Sequence, residues 1–183
     1  MPENRTVEKC RKGLTARRGE YNLQGMAPML HQKQGYFECF PTAIAMVVGV
    51  PKETILREWQ ALDPNLENPR EGGLKGHPLF WEIGAVLLRR YLHLDPKHLQ
   101  TFTKLASCEN RPGGGVPFPQ QGRGILLLII ASGVRHAVAY EHGMVFDPNK
   151  PGPMTYEEWQ ANVTWNIEAV FPANEQAESE KRS

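Results

Sequence analysis

Residues 124–131 read GILLLIIA, a stretch without a single polar side chain. Crossing a bilayer takes ~20 apolar residues, so this run is far too short to span a membrane as a helix. A strand with one wet face would alternate polar and apolar residues. An unbroken apolar run instead predicts a strand covered on both faces, at the centre of a sheet. The downstream segments supply its neighbours. Segments 136–141 (HAVAYE) and 144–147 (MVFD) flank His142-Gly143, the pattern of a tight β-hairpin, and 164–171 (TWNIEAVF) alternates as a final strand. Residues 154–162 read as a short helix, because Thr155 followed three residues later by Glu158 is a capping-box pattern.

The first half has a different period. Cys39–Val48 (CFPTAIAMVV) predicts a short buried helix, with Pro41 tolerated near its first turn and Gly49-Val50-Pro51 ending it. In Lys52–Leu62 (KETILREWQAL), Ile55, Leu56, Trp59 and Leu62 share one face at helical spacing. Residues 79–92 predict a more apolar helix, and the Gly-, Pro- and Asn-rich segment 63–78 predicts a loop. Helices followed by an antiparallel sheet make an α+β chain.

The 183 residues suit one domain. The folded body is expected at 21–172, between a charged mobile arm at 1–20 and a polar disordered tail at 173–183. Residues 108–124 are crowded with Gly and Pro just ahead of the central strand. Such a segment suits a flap over a cleft or an ordinary surface loop. The net charge of +1 leaves no global basic footprint for nucleic acid or an anionic membrane, so neither is expected as a partner. Residues 1–20 lack the apolar stretch of a secretory signal. Three widely spaced cysteines fit no disulfide framework and suggest a reducing, cytoplasmic setting.

Three residues carry the chemistry. Cys39 stands where a loop meets an apolar helix, and the positive end of a helix favours a thiolate nucleophile. His136 opens the first hairpin strand, where an imidazole can take the thiol's proton and return one to a leaving group. Asp147 closes the second strand, so the hairpin is expected to set it facing His136 and hold the imidazole's orientation. Each has a plain structural alternative: a packed cysteine, a strand histidine, a turn aspartate. Cys, His and Asp in that order, on those elements, are much harder to obtain by chance. Acyl transfer also needs donors for a developing oxyanion. The Cys39 backbone N–H is one, and the side-chain amides of Gln32 and Gln34 are available in the preceding loop.

Other candidates carry less. His77, His93, His98 and Cys108 match no zinc spacing, and no metal or cofactor is expected. Gly113–Gly115 lacks the Lys-Ser/Thr of a phosphate loop. His142 is expected to lie exposed in the hairpin turn. Trp59, Trp81, Trp159 and Trp165 read as core anchors, with room for one of them to border the cleft. Cys10 and Cys108 have no base nearby in sequence.

The segments QKQGYFECFPTAIAM and RHAVAYEHGMVFDPN resemble the papain-like cysteine peptidases, most closely the bacteriocin-processing, double-glycine-leader branch. Those proteins share a loop glutamine, a Cys-Gly-Pro-x-Ala helix start, and a His strand followed by Asp-Pro. The resemblance implies a helical lobe bearing Cys39 as nucleophile, packed on a sheet bearing His136 as base and acid and Asp147 as orienting residue. Gln34 or Gln32 would complete the oxyanion hole. Two departures stand out. Phe40 replaces the usual glycine, which alters the crowding beside the thiol. The family's glutamine commonly falls at a spacing between those of Gln34 and Gln32, which lie five and seven residues before Cys39, and Gln34 is favoured.

The function these features suggest is a thiol hydrolase of peptide or isopeptide bonds, with a peptide or protein substrate. Acyl transfer to an amine or deamidation of a glutamine would use the same residues. An inactive interaction module on the same scaffold is the non-enzymatic alternative.

Overall fold

The computed structural model describes residues 29–35, 38–63, 79–106 and 115–173. The expected arm at 1–20, nearly all of the expected loop at 63–78, the tail from residue 174, His77, Cys10 and Cys108 lie outside the described residues. Within them, four helices precede the sheet: α1 (Cys39–Val48), α2 (Lys52–Leu62), α3 (Phe80–Leu92) and α4 (Pro96–Ala106). Strands β1 (Arg123–Ile129), β2 (Arg135–Glu141), β3 (Met144–Phe146) and β4 (Met154–Thr155) come next, then the short helix α5 (Tyr156–Ala161) and β5 (Asn166–Pro172). Among the described residues no helix is long and apolar enough to cross a membrane.

Helix α1 is the hub. Phe40 through Val47 are all buried, and Gly49 ends the helix in the left-handed conformation at φ 73°, where glycine lacks the Cβ penalty. Helix α2 turns Ile55, Leu56 and Trp59 inward, whereas Leu62, expected on the same face, is 36% exposed. On α3 the inward residues are Ile83, Gly84, Leu87, Leu88 and Leu92. A Cβ on Gly84 would lie 2.8 Å from the Phe102 ring, so this glycine lets α3 and α4 pack closely. The apolar pattern does not predict helix α4. Asp95 caps it by accepting the His98 N–H at 2.8 Å, and Pro96 occupies the first position, where no N–H is needed.

The sheet runs β4-β3-β2-β1-β5 and every pairing is antiparallel. As the apolar run predicts, β1 lies between two neighbours and is buried along its whole length. Ile125, Leu127, Ala137, Ala139 and Phe171 face the helical layer. Leu126, Leu128, Val138, Tyr140 and Ile167 face a second, smaller core closed by Val145 and Trp159. Helix α5 sits over that second face, held by the predicted capping box of Thr155 and Glu158.

Residues 115–122 of the Gly- and Pro-rich segment pack on the second face: Val116 donates its N–H to Ile167 at 3.0 Å, and Phe118 stacks on Tyr156 with ring centroids 4.1 Å apart. The rest of that segment, through residue 114, is outside the described residues. Ala173, the first residue of the expected tail, still donates to the Arg123 carbonyl at 2.9 Å and packs against the helical core.

Candidate active site

Cys39 is the first residue of α1, a position whose backbone N–H has no partner inside the helix. Its side chain is half-buried at the edge of the helical core. Phe40, the next residue, is buried, and its ring stacks on Phe102 at 5.2 Å and meets Trp59 edge-on at 6.2 Å, inside the helical layer.

His136 belongs to the other face of the sheet, in step with Val138 and Tyr140, and its ring lies 5.4 Å from that of Trp165. It is near the start of β2, and it lines the same groove as Cys39. The hairpin register pairs Ala139 with Phe146. Continued by one step, it sets Asp147 opposite Val138, so Asp147 does not face His136 directly. The two are diagonal neighbours on one face, close enough for long side chains to meet. His136 Nε2 donates to Asp147 Oδ1 at 2.9 Å, which leaves Nδ1 for the thiol.

Asp147 is held on every side. Its Oδ1 also accepts the Asn149 N–H at 2.9 Å, an Asx turn, and its Oδ2 accepts the indole N–H of Trp159 at 3.0 Å. Its backbone carbonyl accepts from His31 Nε2 at 2.9 Å. Burial pushes the carboxyl upward, but the hydrogen bond and charge of His136, with Trp159 and Asn149, hold it below its ordinary value. For His136, burial is the largest influence and favours the neutral ring. Hydrogen bonds to Asp147 and Cys39, and the charges of both, outweigh it and push the imidazole up to about 9.

The loop before Cys39 is pinned at several points. Gln32 Nε2 donates to the Val50 carbonyl at 2.6 Å, while its Oε1 accepts the Lys52 N–H at 2.8 Å. The Gln32 amide is therefore committed to the α1–α2 turn. Gln34 donates its N–H to the Pro148 carbonyl at 3.3 Å, beside Asp147, and its buried Oε1 has no hydrogen-bond partner among the described residues. The Gly35 N–H bonds Glu38 Oε2 at 2.7 Å, and Lys52 Nζ pairs with the same buried oxygen at 2.7 Å. A Cβ at Gly35 would come within 2.5 Å of that carboxylate, so a larger residue there would have to displace it from its two partners.

Cys39, Gln34, Gly35, Val134, Arg135, His136, Asn149 and Trp165 line an open groove of about 460 Å³. The sequence-derived residues Cys39, His136, Asp147 and Gln34 thus converge, and Gln32 is drawn away. No family model, curated protein or solved structure matches this chain. Among the described residues no group of three or more His, Cys, Asp or Glu side chains is placed to hold a metal ion. His93 caps α3 at φ 53°, His98 pairs with Asp95 at 3.1 Å, and His142 occupies the hairpin turn exposed at φ 43°.

Glu38 and Lys52 brace the loop and escape sequence reasoning. Of the four tryptophans read as core anchors with room for one to border the cleft, Trp165 lines the groove, while the bond from Trp159 to the carboxylate has no sequence signal. Asn149 carries a local signal, as the third residue of an Asp-Pro-Asn turn.

Proposed function

We propose that this chain is a thiol hydrolase of peptide or isopeptide bonds on a papain-like α+β scaffold. The observation that carries the reading is the buried Asp147–His136 hydrogen bond, with His136 and Cys39 lining one open groove. An imidazole held in place beside a thiol can take its proton, which generates the nucleophile, and later return a proton to a leaving group.

The Cys39 Sγ attacks the carbonyl carbon, and electrons shift onto the carbonyl oxygen. The N–H of Cys39 and the side-chain amide of Gln34 receive that oxyanion. As the C–N bond breaks, His136 passes its Nδ1 proton to the departing amine and a thioester remains on Sγ. Water enters, gives its proton to His136, and attacks the thioester, releasing a carboxylic acid and the thiolate. Throughout, Asp147 keeps the other ring nitrogen protonated and the ring in place.

The test compares the full chain with Cys39→Ser and His136→Ala by mass spectrometry of peptide and protein substrates. Chain cleavage that both substitutions abolish supports the hydrolase reading. A covalent amine adduct, or a gain of about one mass unit without cleavage, would replace hydrolysis by acyl transfer or deamidation. Iodoacetamide must also label Cys39 faster than Cys10 and Cys108 near neutral pH; equal rates defeat thiol activation.

A further inference from the structure

The turn after Asp147 closes a second hollow, of about 470 Å³, lined by Asp147, Asn149, Lys150, Ala161, Asn162, Val163, Thr164 and Trp165. Asn149 and Trp165 also line the Cys39 groove, so the two openings adjoin across a shared wall. Its chemistry differs from that of the groove. Asn149, Asn162 and Thr164 give it neutral hydrogen-bonding groups, and among the described residues Lys150 is the one cation in its lining. Among the described residues the Lys150 ammonium makes no ion pair or hydrogen bond. The lining has one acid, Asp147, whose carboxylate is already taken by His136, Asn149 and Trp159. With His136 protonated, that pair is neutral and Lys150 sets the sign of the hollow.

We propose that this hollow is a subsite for a carboxylate of the bound peptide, received by Lys150 beside Trp165. The carboxylate is that of an Asp or Glu side chain or of the peptide's own C-terminus. The inference rests on the hydrolase reading only for the seating of the reacting carbonyl at Cys39; the charge preference belongs to the hollow alone. A lysine is suited to this as a mobile point charge, and its hydrogen bond to a carboxylate is charge-assisted.

The experiment uses the full chain carrying Cys39→Ala, so that bound peptides are not consumed, and two pools of short randomised peptides, one amidated and one with a free C-terminus. Mass spectrometry reads the retained peptides. Enrichment of Asp and Glu at one position of the amidated pool, by about tenfold, identifies a side-chain carboxylate. Preferential retention of the free-acid pool without such enrichment identifies the chain terminus. Either preference must disappear in Lys150→Ala, turn toward Lys and Arg in Lys150→Glu, and weaken as salt is raised. No acid preference, or one that survives Lys150→Glu, overturns the proposal. The unsubstituted chain separates this from the hydrolase reading. Cleavage of both pools without acid preference removes the subsite and leaves the hydrolase. Acid-selective binding without cleavage of any pool removes the hydrolase and leaves the subsite.

Discussion

Strand β2 carries a buried ion pair near each end. At its close, Glu141 pairs with Arg123, its direct partner on β1, and both side chains are 4% exposed. Near its start, His136 pairs with Asp147, at 5% and 3%. Burial does not distinguish them, but their surroundings do. Arg123 also donates to the Val47 carbonyl at 3.2 Å, and Glu141 accepts the Met29 N–H at 3.3 Å, so the first pair ties the end of α1 and the incoming chain to the sheet. An arginine cannot release its proton in a protein. The second pair holds a proton that can move, and its histidine shares an open groove with a thiol. A buried pair is therefore weak evidence of function by itself. A transferable proton beside a nucleophile and a path for substrate is stronger evidence.

The largest expected effect separates the pairs by activity. Cys39→Ala or His136→Ala should lower kcat/KM by at least about a thousandfold, whereas Glu141→Gln should leave the activity of each folded molecule unchanged. A comparable loss in Glu141→Gln would erase the contrast. Next comes stability. Removing one partner of the Arg123 pair leaves an uncompensated buried charge and should cost about 3–5 kcal/mol in urea unfolding. The double change Arg123→Met with Glu141→Leu should recover most of that loss. If it recovers nothing, the pair does more than tie chain segments together.

A third effect is the pH dependence of stability. The folded His136 is raised from 6.5 to about 9, so its charged form is the one that folding stabilises. That contribution is complete below pH 6.5 and is lost as pH rises toward 9, by a few kcal/mol in all. Asp147 is lowered, so its contribution is present above its ordinary value of 3.8 and lost as pH falls below it. Urea midpoints should therefore decline on the alkaline side in the unsubstituted chain and in Glu141→Gln. In His136→Gln that decline should flatten; an unchanged slope would assign it to other groups.

Much of the fold is legible because its signals are local. The apolar run of β1, the His142-Gly143 turn, the glycine stop after α1 and the Thr155 capping box each act within a few residues. Helix α4 escapes apolar patterning because Leu99, Phe102 and Leu105 make a sparse stripe; the Asp95-Pro96 start is its readable sign. The triad-like residues are legible as residue types on suitable elements. Their diagonal placement depends on strand register, which the two-residue turn sets. The choice between Gln32 and Gln34 depends on contacts with Val50, Lys52 and Pro148, distant in sequence, and no spacing rule reveals it.

The smallest effect tests how the second pair is held. Trp159 Nε1 donates to Asp147 Oδ2 in the interior, and Trp159→Phe keeps most of the ring while deleting that donor. The carboxylate then loses one of the interactions that lower it and becomes easier to protonate. Loss of a hydrogen bond to a buried charged group costs about 1–3 kcal/mol, which should appear partly as stability and partly as an upward shift of the acid limb of the kcat/KM profile. A merely structural tryptophan would lower stability and leave that limb where it was. Phe118→Ala, which removes packing from the same face without touching Asp147, supplies the comparison: it should destabilise the fold with no movement of the limb. Equal movement in both variants would mean that packing across the second face, and not the indole hydrogen bond, keeps Asp147 ionised.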